Sequence, residues 1–218
     1  MTTSPNPLAQ PRLALADDPP RGRFRAWLTH RSSSSFLAAA GLLAAAGTLL
    51  LTEDRIGVTL FPVAMTALAL GGIFLATALG GLNAHRRHDR FRGGRVAMAF
   101  CSIVAASGML LAVMVPIGLA TGGLTGDAPA VVDRVAAVAM LALALGLFVA
   151  LLLTGTGVWR SAIPSRGVGV ALMFAALPFL VPVLVAATGS TMDELVAFAM
   201  FVTWTTIFGG IGVALRRG

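Results

Sequence analysis

The sequence predicts an all-α polytopic membrane protein, a bundle of six transmembrane helices with both termini cytoplasmic. Composition is the first reason: of 218 residues, 57% are hydrophobic and only 11% charged, with a mean hydropathy of +0.87. A soluble domain is about a quarter charged. The second is a succession of six apolar stretches, each long enough to cross a hydrocarbon core about 30 Å thick. The third is where the charges fall between those stretches.

The N-terminal region, residues 1–32, reads as a disordered basic cytoplasmic tail. Pro5, Pro7, Pro11, Pro19 and Pro20 stand among scattered polar residues, a composition that buries too little apolar surface to offset its ordering entropy. Within it, Arg21 to Leu28 alternates cations with Phe24 and Trp27. That pattern fits an arm on anionic headgroups, or a solvated basic flank that holds the N-terminus inside.

The first span is read as residues 33–51, an uncleaved anchor helix, because the region before it is long for a secretory signal. The second is 56–82, with Pro62 in its first turn, where a missing N–H is harmless. The third is 96–120, ending near Pro116. Gly122, Gly123, Asp127 and Pro129 then mark a loop. The fourth span, 131–159, is longer than a bilayer needs and is expected to tilt. The fifth, 168–187, is interrupted by Pro178 and Pro182. The sixth, 195–215, follows Ser190-Thr-Met-Asp-Glu194, whose hydroxyls and carboxylates suit a helix start.

Charge placement supports this division. Asn83 to Arg95 is a dense basic run between the second and third spans, and an arginine at the bilayer centre costs at least ~2.5–3.5 kcal/mol. It must lie in water, and arginine-rich loops are retained in the cytoplasm. With that orientation only Arg55 and Arg134 of the 16 basic residues fall outside, whereas Glu53, Asp54, Asp127, Asp133, Asp193 and Glu194 all do. All basic residues are arginine, and lysine and tyrosine are absent. GC-rich coding produces both biases, which points to a high-GC bacterium and to its cytoplasmic membrane.

A weak internal period accompanies the spans. Ala64-Met-Thr-Ala-Leu-Ala-Leu-Gly71 and Ala139-Met-Leu-Ala-Leu-Ala-Leu-Gly146 differ at one position only, and both lie in helices running toward the arginines. Each such helix also ends in glycines followed by arginine: Gly80 and Gly81, Gly155 and Gly157, and Gly209, Gly210 and Gly212. Three repeated hairpins give this pattern, and so does coincidence among residues drawn mostly from Ala, Leu and Gly. Similar hairpin-by-hairpin layouts occur in small six-helix bacterial proteins linked to acid resistance. The likeness is one of layout and assigns no family.

The residues exclude more chemistry than they suggest. No Asp, Glu, Arg or Lys falls in the central part of any span, which counts against proton relays and ion-coupled carriers. No acid pair or Ser/His set marks a catalytic site, so enzymatic activity is not expected. His85 and His88 share a helical face, but with no cysteine and no acid besides Asp89 nearby they fall short of the about four ligands a metal site wants, and no histidine lies inside a span to hold haem. No cofactor is expected. A single cysteine, Cys101, closes no intrachain disulfide. The net charge of +7 is carried at span ends, where orientation and lipid headgroups account for it, so nucleic acid is not an expected partner.

Two places remain as candidate sites. Arg86, Arg87, Arg90, Arg92 and Arg95 form a candidate contact for anionic lipid headgroups or for another membrane protein. Pro178 and Pro182 free backbone carbonyls at the middle of the fifth span, at the depth of Thr203, Trp204 and Thr206 in the sixth. Threonine hydroxyls serving those carbonyls make this a packing interface; a gap there makes it a candidate cavity for an apolar or weakly polar ligand. The expected function is that of a non-enzymatic accessory or interaction protein with an arginine-rich cytoplasmic face. The alternative is a small permease or exporter using the cavity. Small residues at four-residue spacing, such as Gly72, Ala76 and Gly80, favour close helix packing within the chain over a dimer face.

Overall fold

In hydrocarbon every backbone N–H and C=O must be satisfied within the protein, and a helix does this segment by segment. The computed structural model describes residues 19–56, 60–85, 93–120, 130–162, 164–188 and 194–217. These form α1 (Pro19–Ile56), α2 (Phe61–His85), α3 (Gly93–Ala120), α4 (Ala130–Ser161), α5 (Arg166–Ala176), a short 3-10 turn (Leu177–Phe179), α6 (Leu180–Thr188) and α7 (Glu194–Arg217). Six stretches are long and apolar enough to cross a membrane, with α5, the turn and α6 counting together as the fifth.

The spans expected from the sequence all occur, with shifted ends. The largest difference is in α1, which runs unbroken from Pro19 through residues 19–32, a stretch expected to belong to the tail. Two prolines open it, as the first turn of a helix tolerates, and no breaker stands between Arg23 and Gly41. Residues 1–18 lie outside the described residues. At its other end α1 continues through Glu53 to Ile56, so α2 starts only at Phe61, with Pro62 in its first turn.

The spans stand side by side in chain order. α1 packs on α2, α2 on α3, α3 on α4 and α4 on α5, and α7 returns to α1. α5 and α7 also touch, which closes a ring whose interior is filled by Phe36, Leu75, Leu79, Leu111, Leu147, Leu151, Leu172 and Phe208. Phe36 and Phe208 stack at 6.2 Å between ring centroids, joining the first span to the last.

The repeated octapeptides occupy matching places in this ring. Ala64 and Ala139 are buried, as are Ala69 and Ala144, while Leu70 and Leu145 are 37% and 38% exposed. Gly71 faces Leu43 of α1 and Gly146 faces Val104 of α3, so each packs on the helix before it. One glycine near each of the ends of α2, α4 and α7 faces the other way, although Gly81, next to Gly80, meets Ser32 of α1. Gly80 faces Met98 of α3, Gly155 faces Gly169 of α5, and Gly212 faces Leu37 of α1. Each helix running toward the arginines thus ends against the next helix around the ring.

Pro178 produces the break in the fifth span. In a continuous helix its missing N–H would leave the Phe174 carbonyl unpaired. Instead the backbone tightens, and the Leu177 N–H donates to that carbonyl. The Leu180 N–H then reaches Leu177 and Pro178, and the helix resumes as α6.

Candidate functional site

One end of the bundle carries the arginines. Arg31, Arg95, Arg160, Arg166, Arg216 and Arg217 are all exposed there, contributed by α1, α3, α4, α5 and α7. Arg160, Arg216 and Arg217 occupy the last turns of their helices, where cations meet the negative end of the helix dipole. Trp159 is 49% exposed beside Arg160, a position that suits an indole at a water–hydrocarbon boundary.

Beneath these charges the helices are fastened tightly. The Ser33 hydroxyl donates to the Gly212 carbonyl at 2.8 Å, tying the start of the first span to the end of the last. Asn83 donates from Nδ2 to Leu79 of its own helix at 3.0 Å and to the Thr154 hydroxyl at 2.7 Å, linking α2 to α4. Both side chains are buried. Ser32 Oγ presses against Gly81, where a Cβ would collide with it. Gly155 and Gly169 bring α4 and α5 into backbone contact: a Cβ on Gly169 would lie 2.5 Å from the Trp159 nitrogen. Ser165 caps α5, its hydroxyl accepting from the Val168 N–H at 3.3 Å. With Gly167 and Gly169 close behind, α5 starts directly against α4.

The middle of the fifth and sixth spans is organised by Trp204. Its indole is 3% exposed, stacks on Phe179 at 4.1 Å and meets Phe201 edge-on at 5.7 Å. Its N–H donates to the Ala175 carbonyl at 3.2 Å, just before the proline break. The sequence suggested threonines for this work. Thr203 instead bonds back to the Ala199 carbonyl of its own helix at 2.7 Å. Thr205 Oγ1 is buried without a partner among the described residues. An indole reaches farther from α7 than a hydroxyl, and its apolar body fills the gap that the break creates.

On either side of α7, toward the end opposite the arginines, the packing opens. Between α6 and α7 lies a cleft of about 480 Å³ lined by Leu177, Pro178, Val181, Leu195, Val196, Ala199, Met200 and Thr203. Between α7 and α1 lies a smaller groove of about 180 Å³, whose walls include Gly47, Thr48, Phe198, Phe201, Thr205 and Thr206.

The five candidate cavity residues are therefore divided. Pro178 and Thr203 share the cleft, Trp204 turns into the bundle, and exposed Thr206 faces the groove toward α1. Pro182 belongs to α6, and its side chain lies outside the described residues. Of the candidate contact arginines, Arg95 is exposed in the first turn of α3. Arg86, Arg87, Arg90 and Arg92 lie outside the described residues, as do His88 and the side chain of His85. Among the described residues no three His, Cys, Asp or Glu converge on one point. Cys101 is buried in α3. Sequence reasoning missed Phe179 and Phe201, although both lie within a helical turn of residues it singled out, Pro178 and Trp204.

Compared with protein-family models, curated proteins and solved structures, the chain matches none of them.

Proposed function

We propose that this is a non-enzymatic accessory or interaction protein of the bacterial cytoplasmic membrane, with both termini in the cytoplasm and an arginine face that engages anionic lipid headgroups or an acidic surface of another membrane protein. The observation that carries the reading is the gathering of exposed guanidinium groups from five helices at one end of the bundle. The basic run of residues 86–92 leads from α2 into α3, one of these five helices. Juxtamembrane cations contribute about 1 kcal/mol each toward an anionic surface. The helices beneath are locked by Ser33–Gly212 and Asn83–Thr154, so the charges sit on a platform that holds its shape.

The test is to replace Arg86, Arg87, Arg90, Arg92 and Arg95 together by Gln and to measure phosphatidylglycerol retained by the purified protein. Retention is expected to fall with the bundle still folded. Retention equal to that of the parent protein would refute the lipid reading, and an unchanged set of co-purifying membrane proteins would refute the partner reading.

A second reading, a small permease or exporter for an apolar or weakly polar substrate, is favoured by the cleft between α6 and α7. Substrate flux in proteoliposomes, lost on filling the cleft, would support it.

A further inference from the structure

At the arginine end the chain turns from α4 into α5 within residues 162–165, and the turn is tightly set. Ala162 takes a left-handed φ of 53°. The Ser165 hydroxyl accepts from the Val168 N–H and the Ser165 carbonyl from the Gly169 N–H, both at 3.3 Å. Gly169 in turn lies against the Trp159 backbone. These contacts hold the backbones of Trp159 and Arg160, at the end of α4, beside that of Arg166, which opens α5.

The three side chains are all exposed, and each offers something different. Of the two tryptophans with described side chains, Trp204 spends its N–H on the Ala175 carbonyl inside the bundle. Trp159 is 49% exposed, and its N–H has no acceptor among the described residues. At a membrane boundary such an indole keeps its ring in hydrocarbon and turns its N–H toward the polar groups of the lipid. Arg160 follows Trp159 toward the end of α4, and Arg166 precedes Gly169 by three residues, so both cations border the indole on its water side. Below Arg166, Val170 and Phe174 follow at four-residue spacing on one face of α5, 37% and 61% exposed. From Arg166 to Phe174 the helix rises about 12 Å, against about 15 Å of hydrocarbon in one leaflet. Cation, indole N–H and apolar stripe thus follow one another toward the middle of the bundle in the order in which a phospholipid presents phosphate, ester carbonyl and acyl chain.

We infer that the α4–α5 corner is a site for one anionic diacyl phospholipid, its phosphate held by Arg160 and Arg166, an ester carbonyl by the Trp159 N–H, and an acyl chain along Val170 and Phe174. This rests on the reading of the arginine face as a surface for anionic groups, and gives that surface one defined position and one class of ligand. A free phosphate matches the cations alone and leaves the indole and the stripe below it unused.

The experiment is native mass spectrometry of the delipidated protein titrated with phosphatidylglycerol or with phosphatidylcholine of identical chains. Four proteins are compared: the parent, the double variant Arg160→Gln with Arg166→Gln, Trp159→Phe, and Arg134→Gln, which removes an exposed cation from the opposite end. The parent and Arg134→Gln are expected to retain one phosphatidylglycerol; the double variant is expected to hold it about tenfold and Trp159→Phe about threefold more weakly. Phosphatidylcholine is expected to bind the parent and the double variant alike. Equal phosphatidylglycerol retention by the parent and the double variant would overturn the site, and unchanged retention by Trp159→Phe would overturn the part given to the indole. Displacement of the lipid by inorganic phosphate would overturn the lipid assignment in favour of a free anion. A co-purifying protein lost from the double variant, with phosphatidylglycerol retained, would overturn it in favour of a protein partner. Loss of phosphatidylglycerol confined to the Gln variant of Arg86, Arg87, Arg90, Arg92 and Arg95 would overturn the site and leave the arginine-face reading standing; unchanged retention in that variant as well would overturn both.

Discussion

At the arginine end neighbouring spans meet closely, with Gly155 on the Gly169 backbone, Gly81 under the Ser32 hydroxyl and the Gly212 carbonyl bonded to the Ser33 hydroxyl. At the acidic end two openings flank α7, one toward α6 and one toward α1, although Phe201 still packs on Gly47 of α1. The same helix supplies both situations. Its arginine-end half sets Gly212 against Leu37 of α1 near the Phe208–Phe36 stack, whereas its acidic-end half carries Phe198, Phe201 and Trp204. The difference shows how one chain of six similar apolar helices packs closely beneath its described arginines and leaves openings beside α7 at the far end.

The strongest way to break the comparison is to separate α4 from α5. Gly169→Leu would place a side chain where the Trp159 backbone already lies, and is expected to destabilise the fold by about 3 kcal/mol or more, seen as loss of monodisperse protein or a lowered midpoint in SDS titration. Next comes the aromatic seam. Trp204→Leu removes the stack on Phe179 and the hydrogen bond to Ala175, and about 3 kcal/mol of lost stability is expected by the same titration. Trp204→Phe keeps a ring but not the N–H and is expected to cost about 1 kcal/mol.

Smaller effects sharpen the picture of the tight end. Asn83→Leu and Thr154→Val, alone and together, are expected to show a coupling of about 0.5–1.5 kcal/mol in a double-mutant cycle, the range for hydrogen bonds between membrane helices. Ala162, just past the end of α4, holds a left-handed φ of 53°. Glycine bears that conformation without a Cβ clash, so Ala162→Gly is expected to stabilise the protein by about 0.5 kcal/mol in thermal unfolding.

The six helices were legible in the sequence because their cause is local. Apolar length, prolines and charges each act on the segment that contains them, and residues 61–85 or 194–217 fall within a few positions of what hydropathy alone suggests. The glycines before each arginine cluster were visible too, but not their partners. That Gly155 meets Gly169, or that Asn83 reaches Thr154, depends on which helices stand side by side, and no property of either residue states it. The candidate cavity shows the same limit. Pro178 and Thr203 do share a cleft, yet Trp204 turns inward because the gap beside Phe179 admits an indole. Its hydrogen bond to Ala175 takes the role that composition had suggested for the threonines. Helix α1 shows the opposite case: prolines and charge suggest a tail through residue 32, whereas α1 runs from Pro19, with no breaker between Arg23 and Gly41.

The two ends are different surfaces only if they face different compartments, and cysteine accessibility tests that directly. In a Cys101→Ala background, Arg95→Cys and Glu194→Cys are labelled with a membrane-impermeant maleimide on intact cells and again after permeabilisation. The account predicts that Cys at 194 reacts on intact cells and Cys at 95 only after permeabilisation. Labelling of position 95 from outside, or of both positions from the same side, would contradict it.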